Sequence, residues 1–335
     1  MEISGKGVFL TGGARGIGRK LIEALLAKGA RVFFCDINES VGRETESELR
    51  KQYGDDRVIF QQCDVTKADQ FKATFDMAVS NFGAVDVCCN NAGIMDESVP
   101  EKMIAINTTA QIRGSQLALE HMRRDRGGRG GVIVSTVSMG GLISSCVAPV
   151  YVASKHAMIG YMQSMAFSVY QKEQGVRWIS LCPFGVNTNF ISPKEEQVID
   201  KDVFLATLDV FGVIELEDVA GAFMRLLQNE NNNGAIMESM RMAFTKVWFL
   251  EKVLASLENV ALNKPAQQVS VYVAASKAVD GNTDGVFANG SCTHTRTPVE
   301  DVTWWKVFIR CLWTTLELSE KLINRLKPFL PPDAQ

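Results

Sequence analysis

Tyr151 and Lys155 stand four residues apart in PVYVASKHA (149–157), just behind a proline. In a helix, residues at i and i+4 share a face. A phenol ordinarily gives up its proton near pH 10, too high for an efficient base at neutrality. A neighbouring ammonium group favours the phenolate and lowers that value. The pair could therefore take the proton of a bound hydroxyl. Ser138, thirteen positions before Tyr151, closes an apolar β-type run. Its hydroxyl could hold the oxygen of the same group and stabilise charge as it shifts. Taken singly, each residue also fits an ordinary place: Tyr151 and Lys155 as a surface pair, Ser138 as a turn residue, and Asn107 as a polar residue inside a helix.

A redox partner for such a base is suggested by TGGARGIG (11–18), which follows an apolar run and opens a helix-period stretch at Ile17. Gly12, Gly16 and Gly18 let the backbone turn sharply and approach a pyrophosphate, which then sits on the helix N-terminus with Arg15, Gly16 and Ile17 around it. A strand ending in Asp36 follows about 20 residues on, as the dinucleotide fingerprint requires. The Asp36 carboxylate could accept hydrogen bonds from adenosine ribose hydroxyls, and a 2′-phosphate there would meet a like charge. NAD is therefore expected over NADP. Arg15 pulls the other way, since it could reach a phosphate, but the carboxylate would stand at the 2′ position itself. A tight turn without a ligand is the plain alternative for the loop, and a solvated charge is the plain alternative for Arg15.

These residues need a scaffold. Short apolar or β-branched runs recur at 7–10, 31–36, 57–61, 85–90, 131–137, 176–181 and 234–237. Between them lie amphipathic stretches from Ile17 onward and through 41–52, 68–82, 101–122 and 152–173. Runs with little alternation suit strands buried on both faces. Their regular exchange with helices implies right-handed βαβ crossovers, hence an α/β, Rossmann-like, doubly wound parallel sheet. Residues 1–263 are assigned to this dinucleotide-binding catalytic domain, with 244–260 as one more amphipathic helix. Residues 264–300, rich in Ala, Gly, Asn, Ser and Thr, are expected to form a flexible linker. Residues 301–335 are expected to form a C-terminal helical extension, with Trp304, Trp305, Phe308, Leu312 and Trp313 at helical spacing among lysines and arginines.

The bulk composition narrows the function. A net charge of −3 provides no sequence-wide basic field for nucleic acid. Three histidines without H-x-x-x-H spacing give no zinc motif, and no metal is expected. Eight scattered cysteines, mostly in apolar runs, suit buried thiols in a reducing compartment. No run of about 18 apolar residues signals a membrane span, and the N-terminal apolar stretch is too short for a signal peptide. A soluble cytoplasmic protein is expected. The mixed aromatic and basic segment 301–327 offers contact with a membrane surface, docking on a partner, or packing on the protein's own surface.

With TGGARGIG, Asp64-Val65, NNAG (90–93), Asn107, Ser138 and Tyr151-x-x-x-Lys155 in order, the chain resembles the short-chain dehydrogenase/reductase family over about residues 5–240. The stretches KGVFLTGGARGIGR, QCDV, PVYVASKHA, CPFGVNT and NGAIM carry a closer likeness to NAD-dependent members that act on oxygenated lipids. The resemblance implies a seven-stranded parallel sheet holding one dinucleotide. Asp64 and Val65 would then touch the adenine, Asn91 would line the cleft, and Val186 and Thr188 would meet the nicotinamide amide. Lys155 would hold the nicotinamide ribose, and Asn107 would carry a water linking Lys155 to solvent. Family members commonly form dimers or tetramers through helices at about 101–122 and 152–173, so a homodimer is expected. Where the similar members have a glutamine just before Pro-Val-Tyr this chain has Ala148, and where they have Gly-Phe it has Phe184-Gly185. Both changes fall where substrate would lie.

The expectation is an NAD-dependent oxidoreductase that turns a secondary alcohol of a small apolar substrate, a hydroxylated fatty acid or prostaglandin-like lipid, into a ketone. Tyr151 would be the base, with Ser138, Ala148 and Phe184 at the substrate. The alternatives are a steroid or retinoid dehydrogenase, and a non-catalytic dinucleotide-binding protein tethered by its tail.

Overall fold

The computed structural model of the protein describes residues 1–239. The expected helix at 244–260, linker at 264–300 and tail at 301–335 lie outside the described residues. Seven parallel strands form one sheet in the order β3-β2-β1-β4-β5-β6-β7. They are β1 (Gly7–Thr11), β2 (Arg31–Asp36), β3 (Val58–Gln62), β4 (Val87–Asn90), β5 (Gly131–Thr136), β6 (Val176–Pro183) and β7 (Ile236–Ser239). The chain builds outward from β1 to β3, then returns to lay β4 against the other edge of β1, with Val8 registered against both Val32 and Val87. That reversal opens a crevice beyond the carboxyl ends of β1 and β4, where open α/β sheets bind ligands.

Strands of this sheet are buried on both faces, and β1 is buried along its whole length. Val8 and Leu10 join one core layer with Leu21, Leu25 and Phe223. Phe9 points into the other, where its ring stacks on Phe71 at 6.1 Å and meets Phe75 edge-on at 5.2 Å. Helices α1 (Gly16–Ala27), α2 (Glu39–Tyr53) and α9 (Leu216–Gln228) contribute to the first layer. Helices α3 (Ala68–Phe82), α5 (Gln111–Met122) and α6 (Pro149–Ala166) contribute to the second. Asn38 caps α2 by accepting from the Val41 N–H at 3.2 Å, and Gly83 ends α3 in the left-handed conformation at φ 74°.

Two expected helices come out differently. The stretch 101–122 is not one regular helix: α4 (Pro100–Ile104) passes through a wide π turn (Ala105–Ala110) before α5 begins. The stretch 152–173 stops at Ala166, and a short α7 (Gln171–Gln174) follows. Two further helices, α8 (Lys201–Phe211) and α9, lie beyond those the apolar pattern had marked. Cys35, Cys63, Cys88, Cys89 and Cys182 are buried, as the apolar runs implied, while Cys146 is exposed. His156 is exposed and bonds through Nδ1 to the Val152 carbonyl. Among the described residues no helix is long and apolar enough to cross a membrane.

His121 closes the base of the second layer. Its Nε2 accepts the Val85 N–H at 3.1 Å, and burial together with the nearby Arg129 holds its pKa below the ordinary 6.5. The folded state therefore resists charging this ring. Stability is full above the unfolded value and is lost as pH falls below about 6.5. In His121→Gln, which can still accept the Val85 N–H but does not titrate, this component of acid destabilisation is expected to vanish. Thermal melts on either side of pH 6.5 check it.

Candidate active site

The site gathers at the carboxyl ends of six neighbouring strands, β3-β2-β1-β4-β5-β6. After β1 the backbone turns through Gly12 at φ +70°, a conformation that favours glycine. A Cβ at Gly18 would stand 2.0 Å from the Gly12 carbonyl oxygen, so only glycine lets the first turn of α1 lie on this loop. The loop is clamped from β4: Asn91 Nδ2 donates to the carbonyls of Thr11 at 3.2 Å and Gly12 at 3.0 Å. Thr11 Oγ1 in turn accepts the N–H groups of Asn91 and Ala92, each at 3.1 Å. Helix α1 starts with no side-chain cap and no acidic residue in its first turn. Its first turn thus carries no acid of its own, and the loop in front of it has no side chains at the glycines. This arrangement fits a pyrophosphate.

The adenosine end has two acids. Asp36, at the end of β2, accepts from the Ala14 N–H at 3.1 Å and the Asn38 N–H at 3.0 Å, which holds its carboxylate beside the glycine loop. Asp64 accepts from the Thr66 hydroxyl at 2.6 Å and the Thr66 N–H at 2.9 Å, and chiefly that hydroxyl keeps its pKa below the usual carboxylate range. Val65 is buried, and its carbonyl accepts from Arg113 at 3.2 Å. Arg15 is exposed at the start of α1, and Ile17 packs partly against the core. On the opposite wall, Val186 bridges to Ile214, and Thr188 Oγ1 donates to the Val186 carbonyl at 3.2 Å. A Cβ at Gly16 would lie 3.5 Å from Thr188 Cγ2, so the two walls meet across the loop.

Tyr151 and Lys155 lie on the first turns of α6. Tyr151 shares a hydrogen bond with the Ser138 hydroxyl, which also accepts the Gly140 N–H at 3.0 Å. Ser138 stands two residues past the end of β5 and caps a short 3-10 turn. Lys155 is only 3% exposed. Its Nζ donates to the Thr136 carbonyl at 3.1 Å and lies 5.5 Å from the centroid of the Tyr151 ring. Asn107, fully buried in the π turn, brackets Ile94: Oδ1 accepts its N–H at 2.9 Å, and Nδ2 donates to its carbonyl at 2.8 Å and to Ser154 Oγ at 3.1 Å. A Cβ at Gly93 would stand 3.3 Å from Asn107 Oδ1 and 3.5 Å from Lys155 Nζ. The structure thus brings Asn107, Ser138, Tyr151 and Lys155 to one place.

Burial opposes charge on both members of the pair. It pushes the Tyr151 phenol up to about 12, partly offset by the Ser138 hydrogen bond, and pushes the Lys155 ammonium down to about 8. The phenol thus stands above its ordinary value rather than below it, and the Lys155 nitrogen is turned to the Thr136 carbonyl.

An apolar cluster adjoins the phenol. Met95, Ala148 and Val198 form a buried cluster with Tyr151 and Phe204 against it, and the Phe190 ring lies 5.9 Å from Tyr151. Ala148, expected at the substrate, is buried in this cluster. Phe184 packs edge-on against Phe211 at 5.0 Å.

Residues 6–198 match the sequence model of the family described as short chain dehydrogenase. The chain belongs to that family. This dehydrogenase is 37% identical over 244 residues to human 15-hydroxyprostaglandin dehydrogenase [NAD(+)], an alignment covering 71% of this chain and 92% of the relative. It is 32% identical to 3beta-hydroxysteroid dehydrogenase 2 of Eggerthella lenta, over 56% of this chain and 73% of that one. Among solved structures, a short-chain type dehydrogenase/reductase from Mycobacterium marinum superposes with a TM-score of 0.62 at 24% identity, covering 71% of this chain and 94% of that chain, and so shares the fold.

The sequence pattern missed one residue of the dehydrogenase site. Glu97, in the loop after β4, accepts the N–H groups of Tyr151 at 2.9 Å and Val150 at 3.1 Å. Nothing in NNAGIMDES marks it, because its partners arrive from a segment more than fifty residues away.

The buried ammonium makes a stability test. Its folded pKa lies below the ordinary 10.5, so its charge costs stability while the lysine is protonated, and the cost falls away between about pH 8 and 10.5. Lys155→Met is therefore expected to melt higher than the parent below pH 8, by roughly 2–4 °C per kcal/mol relieved. The difference should shrink as pH rises through that window, which thermal melts read directly.

Proposed function

We propose that this dehydrogenase oxidises a secondary alcohol of an apolar substrate to a ketone with NAD, and that Tyr151 is the base. The observation that carries the reading is the Tyr151 phenol hydrogen-bonded to Ser138, one helical turn from the buried Lys155, beside a helix N-terminus kept free for phosphate. NAD, when bound, supplies the hydride acceptor and a positive charge. Gly12, Arg15, Gly16, Ile17 and Gly18 would hold its phosphates, Asp36 its adenosine ribose, Asp64, Val65 and Asn91 its adenine side, and Val186 and Thr188 its amide. Asp36 favours NAD over NADP, since its carboxylate repels a 2′-phosphate. The human relative is named for the same cofactor.

Ser138 would hold the substrate oxygen while Tyr151 takes the hydroxyl proton. A phenol near 12 is a poor base, so Lys155 and the added cationic charge must bring it down when the site is filled. Lys155 would also hold the nicotinamide ribose. Asn107, next to Lys155, would carry the water that returns the proton to solvent. The wall of Met95, Val198, Phe190 and Phe204, with Phe184 behind, favours an apolar body around the carbinol. A 15-hydroxyprostaglandin or related hydroxylated fatty acid is the first substrate class, after the human relative. A 3β-hydroxysteroid is the second, after the bacterial relative. The protein acts as a cytoplasmic homodimer in this reading. Phe167, Val169 and Tyr170 past the end of α6, which are 78%, 86% and 58% exposed, support a partner on that side.

NADH absorbance on mixing protein, NAD and a panel of hydroxylated lipids and 3β-hydroxysteroids tests the function. Tyr151→Phe is expected to lose between about a hundredfold and ten-thousandfold in kcat, with NAD affinity retained. The rate should rise with pH to a plateau as the phenol ionises, and Lys155→Met should move that rise to higher pH. Asp36→Ala is expected to narrow the preference for NAD over NADP by about tenfold or more. No turnover of any panel member with either dinucleotide would overturn the assignment.

A further inference from the structure

We propose that Glu97 is a positioning residue that couples closure of the segment 189–211 to the placement of Tyr151. The inference rests on the reading of Tyr151 as the base. Helix α6 begins with Ala148, whose methyl side chain cannot cap it, and Pro149 occupies its first turn. The next two backbone donors, Val150 and Tyr151, are both met by the Glu97 carboxylate, Oε2 at 3.1 Å and Oε1 at 2.9 Å. A carboxylate at a helix N-terminus gains from charge-assisted hydrogen bonds and from the helix dipole. One of the two donors belongs to the proposed base.

The backbone of Glu97 faces the other way. Its N–H donates to the Gln197 carbonyl at 3.0 Å, and the neighbouring Asp96 carboxylate accepts from Gln197 Nε2 at 3.1 Å. On the far side, the Ile199 N–H donates to the Val147 carbonyl at 2.9 Å, just ahead of α6. Residues 197–199 are therefore stitched between 96–97 and 147, and this lays Val198 on Met95 and Ala148. The strip that carries Glu97 is anchored at its start by Asn107, which holds both backbone groups of Ile94. Glu97 has no regular secondary structure of its own to fix it. Its carboxylate stays on α6 because its backbone is held at Ile94 and at Gln197. Lifting 197–199 removes the second hold, frees the carboxylate, and lets the first turn of α6 fray with the phenol on it. The base is then in place chiefly when the site is covered, which keeps proton transfer from running in open water.

Hydrogen–deuterium exchange with NADH bound, together with steady-state kinetics on whichever panel alcohol the parent oxidises, tests this. Gln197→Ala touches nothing on α6 and keeps the Gln197 carbonyl, but it removes the side-chain bonds to Asp96 and to the Lys194 N–H that hold 197–199 in place; it is expected to speed exchange across 149–155, as Glu97→Ala does. Glu97→Ala should lower kcat by on the order of tenfold to a hundredfold, counted per NADH-binding site, with NADH affinity within about twofold of the parent. Glu97→Gln keeps an acceptor oxygen and should recover most of the rate, and it serves if Glu97→Ala does not fold. The proposal is overturned if Gln197→Ala leaves exchange at 149–155 unchanged. It is also overturned if Glu97→Ala lowers only the melting temperature, which is the behaviour of a plain helix cap. Exchange needs no turnover, so a parent that oxidises nothing would sink the functional reading while the coupling is still measured.

Discussion

An ammonium group taken out of water is the constraint around which this site is arranged. Lys155 is 3% exposed, and its burial is strong enough to pull the group down to about 8. A buried charge is tolerated only when polar partners are fixed around it. The end of β5 supplies one, the Thr136 carbonyl. The loop after β4 must pass close by without a side chain at Gly93, and Asn107 must reach across from the π turn to hold that loop. Each of these positions is a place where two strands end side by side. The sheet order, which sets β4 between β1 and β5, is what makes them neighbours.

The same order separates two jobs. Between β1 and β4 the chain builds a cradle of backbone, closed by the mutual hydrogen bonds of Thr11 and Asn91. Beyond the end of β5 it gathers a cluster of side chains around the phenol. Lys155 stands where the two regions meet. The phenol is half-buried against Phe190 and the Met95–Val198 cluster, so the apolar wall that would suit a lipid substrate also desolvates the base. Affinity for an apolar body and a reluctant base come from the same side chains.

Much of the scaffold was legible because buried parallel strands have a simple signature. RVFFCD and GVIVST are continuous apolar runs with no polar face to hide, and each became a strand almost residue for residue. The glycine loop and the 151–155 spacing were legible because their meaning is local. Other features depend on distant parts of the chain. The segment around 184–211 is not assignable to core or cover from its pattern, because its apolar residues do not share one buried face: Phe190, Ile199 and Leu205 remain 41%, 50% and 41% exposed. Helix α9 does carry a 3.6-residue period in Val219, Ala222, Phe223 and Leu226, and was legible in principle. Spacing put Tyr151 and Lys155 on one face but said nothing of desolvation, which pushes the phenol up and the ammonium down. Glu97 left no trace at all, since a single acid in a loop acquires meaning only from the helix it meets.

The wide turn at Ala105–Ala110 has a geometric consequence of its own. An added residue in a helical turn rotates everything beyond it by about 100°. Helix α5 therefore presents to the sheet a face that a regular continuation of α4 would have turned aside, and on that face Ser115 Oγ accepts from Asn90 Nδ2 at 2.9 Å. The irregularity works as a phase shifter, letting one continuous rod satisfy two mismatched surfaces. Evolution could lengthen or shorten the neighbouring loops with little effect, but trimming a single residue here would unscrew half of the rod from its seat.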